Sequence, residues 1–166
     1  MSVEVKFLSK EISDLFWKEG ITLATAESCT AGNIAAAITS IAGSSHFFEG
    51  GVVAYSNTVK QNLLGVSAEA LETYGAVSEE VVKEMALGVM KMMNTDCAVA
   101  TSGIAGPTGG EPNKPVGTIW IAAAYHDKVL TVMLEGDEGR NKNIAHATKK
   151  ALNLLRELFQ NEENEE

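Results

Sequence analysis

Apolar positions recur at helical spacing over residues 5–18, where Val5, Leu8, Ile12, Leu15 and Phe16 share a face and Gly20 follows as a stop signal. The pattern then changes. ITLATAES is short and rich in β-branched residues, and CTAGNIAAAITSIAG is alanine-rich and closed by glycine, so a strand is expected to pass through a tight turn into a helix. GGVVAYSN reads as a second strand and NTVKQNLLGV as a short helix after it. Ser78 precedes Glu79 and Glu80, placing a cap and two acids where a helix N-terminus is positive, and Val81, Val82, Met85, Ala86, Val89 and Met90 carry that helix to about Asn94. DCAVATSG is apolar without alternation, as a strand covered on both faces would be. GTIWIAAAYH and KVLTVMLEG form a pair of strands around His126-Asp127-Lys128, and a last helix covers about 140–159.

Helices interleaved with apolar strands predict a layered α/β domain, and the late hairpin predicts a mixed, largely parallel sheet. The 166 residues fit one domain, taken as residues 1–160, and NEENEE at 161–166 reads as an acidic, disordered tail. The net charge of -9 offers no basic stripe for a nucleic-acid backbone, so nucleic acid is not an expected partner. The longest uncharged apolar run, VGTIWIAAAY, is too short to span a bilayer, and the amphipathic, acid-bearing N-terminus does not read as a signal peptide. Cys29 and Cys97 are too few and too far apart for a disulfide framework or a zinc motif, which makes a reducing, cytoplasmic setting the default. His46, His126 and His146 show no metal-ligand spacing, and no metal is expected.

Three stretches carry candidate chemistry. AESCTAG, residues 26–32, lies at a strand-to-helix turn, where Ser28, Cys29 and Thr30 can frame an anion site or simply cap the helix. Glu27 is ill suited beside an anion and reads as a partner for donors or as part of the fold. Cys29 has an alternative role as a nucleophile, and buried inert cysteine is the commoner outcome. GSSHFFEGGVVAYSNTVK supplies Ser45, Tyr55 and Lys60, a hydroxyl, a proton relay and a lysine that burial can keep neutral; sequence separation alone does not bring them together. ATSGIAGPTGG ends a buried strand in small residues, so Ser102 and the Gly103 and Gly106 amides can line an anion pocket or merely begin a surface loop.

TAESCTAG, AGSSHFFEGGVVAYSNTVKQNLLGV, GAVSEEVVKEMA and ATSGIAGPTGG with KPVGTIWIA closely resemble the CinA C-terminal domain family, which includes stand-alone nicotinamide-nucleotide amidohydrolases. The likeness runs from about residue 5 to 160. It implies a three-layer α/β/α domain that hydrolyses the carboxamide of nicotinamide mononucleotide (NMN) to nicotinate mononucleotide and ammonia, without a cofactor, in a homo-oligomer (dimer or trimer). A catalytically silent nucleotide-binding module is the alternative. The resemblance makes Ser45 the nucleophile, assisted by Tyr55 and Lys60, and puts Ser28, Ser102 and Arg140 at the substrate. Two departures stand out: Ala31 occupies a position usually held by glycine, and GDEGR is two residues longer than the family's GDR. The larger N-terminal domain of full-length members has no counterpart in these residues, and its pyrophosphatase activity is not expected of them.

Overall fold

The computed structural model describes residues 1–160; the acidic stretch 161–166 lies outside the described residues. The chain runs α1 (Val3–Glu19), β1 (Leu23–Glu27), α2 (Asn33–Thr39), a 3-10 turn (Ser44–His46), β2 (Phe48–Val53), α3 (Asn57–Leu64), α4 (Ala68–Tyr74), α5 (Glu79–Met93), β3 (Cys97–Gly103), β4 (Ile119–Tyr125), β5 (Lys128–Leu134) and α6 (Arg140–Gln160). Serine hydroxyls cap four of these helices: Ser2 on α1, Ser56 on α3, Ser67 on α4 and Ser78 on α5 each accept a backbone N–H from the first turn. Asn94 closes α5 in the left-handed region, as its short polar side chain permits. The sequence pattern did not anticipate α4, whose seven residues bury Ala70 alone among them.

The five strands form one sheet in the order β2-β1-β3-β4-β5. β1 pairs in parallel with β2 and β3, and β4 pairs antiparallel with β3 and β5, so every strand except β4 points the same way. The sheet is therefore mixed and largely parallel, and the hairpin turns tightly at His126 and Asp127.

Two cores lie on opposite faces of this sheet. On one, Leu23, Cys97, Val99, Ile119, Ile121 and Ala123 pack under α1, α2 and α6. On the other, the strands present Ala24, Ala26, Ala98, Ala100, Ala122 and Ala124 to Val81, Val82, Met85, Ala86 and Val89 of α5. Alternating side chains send the larger residues, with Ala123, to one face and the other alanines to the opposite one, and the small side chains let α5 lie close to the sheet. β3 is enclosed on both faces, with Cys97 to Ser102 buried throughout, which accounts for its unbroken apolar run.

Gly88 sets a second close approach. A Cβ at this position would lie 1.8 Å from the Leu64 carbonyl oxygen, so the C-terminal end of α3 can rest on α5 only because Gly88 has no side chain. This contact fixes the helix that carries Lys60. Among the described residues no helix is long and apolar enough to cross a membrane.

Candidate active site

The parallel strands β1 and β3 end side by side, with Glu27 in register with Thr101, and the Ser28 N–H donates to the Thr101 carbonyl at 3.0 Å. The chain leaves β1 through Ser28-Cys29-Thr30-Ala31-Gly32 before α2 begins. Ala31 takes a φ of 46°, a left-handed conformation that costs an alanine about 1–2 kcal/mol, so the methyl group that departs from the family pattern is accommodated with strain.

Glu27 is buried at the base of this turn. Its carboxylate accepts from the Ile34 N–H at 2.9 Å, the Ala35 N–H at 3.0 Å and the Thr30 hydroxyl at 2.7 Å. The positive end of α2 is thereby occupied by the chain's own carboxylate. Of the two readings open for this turn, an anion site or a local cap, the terminus itself is filled from within, by Glu27 in place of a capping hydroxyl. Thr30 is likewise turned inward, fully buried, with its hydroxyl 2.8 Å from that of Thr101, so it supports the turn and does not face a ligand.

Ser28 faces outward from the same turn, and Lys60 meets it from α3. Lys60 Nζ donates to Ser28 Oγ at 3.0 Å and to the Ala54 carbonyl at 2.8 Å, with the Tyr55 carbonyl at 3.5 Å. Lys60 is only 2% exposed and faces these neutral oxygens. Burial, which penalises the ammonium form, pulls its pKa below the ordinary lysine value. A hydroxyl in contact with a lysine inclined to lose its proton is the arrangement a serine nucleophile requires.

These groups line a cavity of about 240 Å³ walled by Ser28, Cys29, Tyr55, Asn57, Lys60, Ala76, Val77, Ser102, Gly103, Ala105 and Arg140. Tyr55 stands 61% exposed at the rim, where its hydroxyl accepts from Arg140 Nη2 at 3.3 Å. Arg140 Nη1 donates to the Gly106 carbonyl at 2.7 Å, which ties the first residue of α6 to the loop after β3. The Ser102 hydroxyl donates to the Ala76 carbonyl at 2.7 Å and so holds the loop before α5 against the end of β3. Burial pushes the Cys29 thiol up to about 12, leaving it protonated at neutral pH and poorly suited to the nucleophilic role open to it in the sequence. The amides of Cys29 and Thr30 donate to no carbonyl among the described residues.

Ser45 does not join this cavity. It lies exposed in the Ser44–His46 turn that precedes β2, whereas Tyr55 and Lys60 follow the far end of that strand. The six residues of β2, at about 3.3 Å each, put nearly 20 Å of strand between them. The structure does not bring the expected trio of Ser45, Tyr55 and Lys60 together: Lys60 is partnered by Ser28, and Tyr55 reaches Lys60 through its carbonyl. Sequence reading also missed Asn57, Ala76, Val77 and Ala105 as cavity walls, and no local pattern marked them. The histidines are scattered: His46 stacks on Trp17 with ring centroids 4.0 Å apart, and His146 pairs with Glu138 at 3.0 Å. Among the described residues no three His, Cys, Asp or Glu side chains cluster as metal ligands would.

Comparison with known proteins agrees with this architecture. The crystal structure of the competence/damage inducible protein CihA from Agrobacterium tumefaciens superposes with a TM-score of 0.92 at 40% identity, over 95% of this chain and 99% of that one. The nicotinamide-nucleotide amidohydrolase PncC of Enterobacter agglomerans is 57% identical over 125 residues, 75% of this chain and 76% of that protein. A CinA-like protein of Cytophaga hutchinsonii is 49% identical over 149 residues, 90% of this chain; the chain spans only 36% of that longer relative. The family model for the CinA C-terminal domain matches residues 5–159, and the chain belongs to that family.

Proposed function

We propose that the chain is a nicotinamide-nucleotide amidohydrolase in which Ser28, not Ser45, is the nucleophile and Lys60 is its base. The observation that carries this reading is the 3.0 Å contact between Lys60 Nζ and Ser28 Oγ inside a cavity, with the lysine pKa lowered by burial. The substrate class rests on the 57% identity to the Enterobacter agglomerans amidohydrolase.

In this mechanism neutral Lys60 takes the Ser28 proton as Oγ bonds to the carboxamide carbon of NMN. The oxygen of the tetrahedral intermediate is placed against the turn after Ser28, where Cys29 lines the cavity and its backbone N–H can supply an oxyanion donor. Lys60 then gives its proton to the departing nitrogen, the C–N bond breaks, and ammonia leaves. Water adds to the acyl-serine with Lys60 again accepting a proton. The C–Oγ bond breaks, the proton returns to Ser28, and nicotinate mononucleotide is released. Arg140 and Tyr55 stand at the rim, where the guanidinium can pair with the 5′-phosphate while the pyridine ring enters the cavity.

The test is ammonia release from NMN by the wild type beside Ser28→Ala and Ser45→Ala. Ser28→Ala should lose at least about 10³-fold in kcat with folding retained, and Ser45→Ala should stay within about threefold, as surface substitutions away from a site do. The reverse ranking would return the nucleophile to Ser45. Thermal stabilisation by NMN without ammonia release would make the chain a nucleotide-binding module.

A further inference from the structure

Asn143 is a buried amide one turn into α6, 4% exposed, and both ends of its side chain are bonded. Nδ2 donates to the Ala105 carbonyl at 3.0 Å and to Asp137 Oδ1 at 2.9 Å, while Oδ1 accepts from the Glu138 N–H at 3.0 Å. Arg140 precedes it by three residues, so the two share a face of the helix. Their contacts are consecutive: Arg140 grips the Gly106 carbonyl at 2.7 Å and Asn143 grips that of Ala105. One amide therefore joins three segments, the loop after β3, the loop before α6, and α6 itself. All three meet where Arg140 reaches the cavity rim.

We infer that Asn143 is a positioning residue that holds the Arg140 guanidinium over the cavity mouth and thereby sets affinity for a phosphate-bearing substrate it does not touch. The inference rests on the nucleotide reading given above. Without the amide, the Ala105 carbonyl and the Asp137 carboxylate lose their buried donor, and the loop that delivers the start of α6 loses its anchor. Ser28 and Lys60 stand on β1's turn and on α3, outside this network. Loss of Asn143 should therefore weaken capture of the anionic end of the substrate more than it slows the chemistry. A residue serving stability alone would show no such preference between the two ends of the substrate.

The experiment is a double-mutant cycle on NMN turnover with wild type, Asn143→Ala, Arg140→Ala and the double variant, repeated with nicotinamide riboside, which carries the same carboxamide without the phosphate. Asn143→Ala should raise KM for NMN roughly tenfold, the loss expected for one weakened charge-assisted contact. Its kcat should stay within about threefold, and the rise in KM should vanish in the Arg140→Ala background. The riboside KM should not respond to Asn143→Ala. Asn143→Leu keeps the volume without placing a second carboxylate beside Asp137 and removes the donor to Ala105, so it should reproduce the effect if the alanine variant folds poorly. An unchanged KM, an equal rise with and without Arg140, or a fall in kcat alone would overturn the inference. If the wild type releases no ammonia from NMN, the enzymatic reading fails separately. The same cycle read as calorimetric Kd for NMN then decides the role of Asn143.

Discussion

Lys60 Nζ lies 3.0 Å from Ser28 Oγ, across 32 residues of sequence, and the lysine end of this pair is nearly sealed from solvent. Burial lowers the lysine pKa, so a neutral amine becomes available below the pH at which a free lysine would provide one. The rate should follow that neutral fraction. On NMN, kcat/KM should rise with pH along an acidic limb whose apparent pKa falls below the ordinary lysine value of about 10.4. Lys60→Arg, which stays charged throughout, should lose about 10²–10⁴-fold at every pH. A rate that shows no rise with pH anywhere below the ordinary lysine value, or an active arginine variant, would remove Lys60 from the role of base.

The same pKa has a consequence for stability. The unfolded lysine keeps its proton to about pH 10.4, while the folded one releases it earlier. Between those values the unfolded state binds more protons, so the Lys60 contribution to native stability increases with pH. Lys60→Met has no such dependence. The difference in Tm between wild type and Lys60→Met should therefore shift in favour of the wild type as pH is raised from 7 to 10. Calorimetry at matched ionic strength measures it, and a constant difference would mean that the folded lysine titrates as it does in the unfolded chain.

Much of the scaffold was legible because its signals are local. The spacing of Val5, Leu8, Ile12 and Phe16, the Ser78 and Asn94 caps around α5, and the unbroken apolar run of β3 each report a short-range constraint. By contrast, α4 is a seven-residue helix with one buried residue, too short for periodicity to register. The site divides in the same way. Ser28, Tyr55, Lys60, Ser102 and Arg140 all drew notice by type or by family likeness, and all line one cavity. Which serine meets the lysine depends on strand direction: β2 runs from Ser45's end of the sheet to Lys60's, while β1 delivers Ser28 to Lys60's end. Neither motif contains that information. Glu27, expected as a partner for donors or as part of the fold, is the group that fills the end of α2 from within, whereas only the folded turn reveals that Thr30 turns inward to back it.

Glu27 offers a direct check on that filled terminus. Its two carboxylate oxygens serve three donors in a buried setting at the start of a helix. Glu27→Gln replaces one acceptor by an amide that faces N–H groups and removes the charge that opposes the helix dipole. The variant should lose about 2–3 kcal/mol and melt roughly 5–10 °C lower. Activity should fall as well, because the turn carries Ser28. A melting temperature within about 1 °C of the wild type would mean that the carboxylate does not anchor the turn.

Gly88 connects the packing of the far layer to the chemistry. At an exposed helical site, glycine to alanine stabilises by about 1 kcal/mol through backbone entropy. Here the added Cβ would sit 1.8 Å from the Leu64 carbonyl oxygen and 2.8 Å from its carbon, both backbone atoms that cannot rotate away. Either α3 lifts from α5 or α5 shifts on its alanine floor. Overpacking of this kind costs about 1–3 kcal/mol, so Gly88→Ala should destabilise where propensity alone predicts a gain. If α3 is the element that moves, it takes Lys60 with it, four residues before Leu64. A displacement of about 1 Å at the reacting groups can cost on the order of 10²-fold in rate. The variant should therefore lose much more kcat than its melting temperature would suggest, measured on protein still fully folded at the assay temperature. Destabilisation with unchanged kcat would show that the clash is absorbed by α5 and that the Lys60–Ser28 contact does not depend on how α3 is seated.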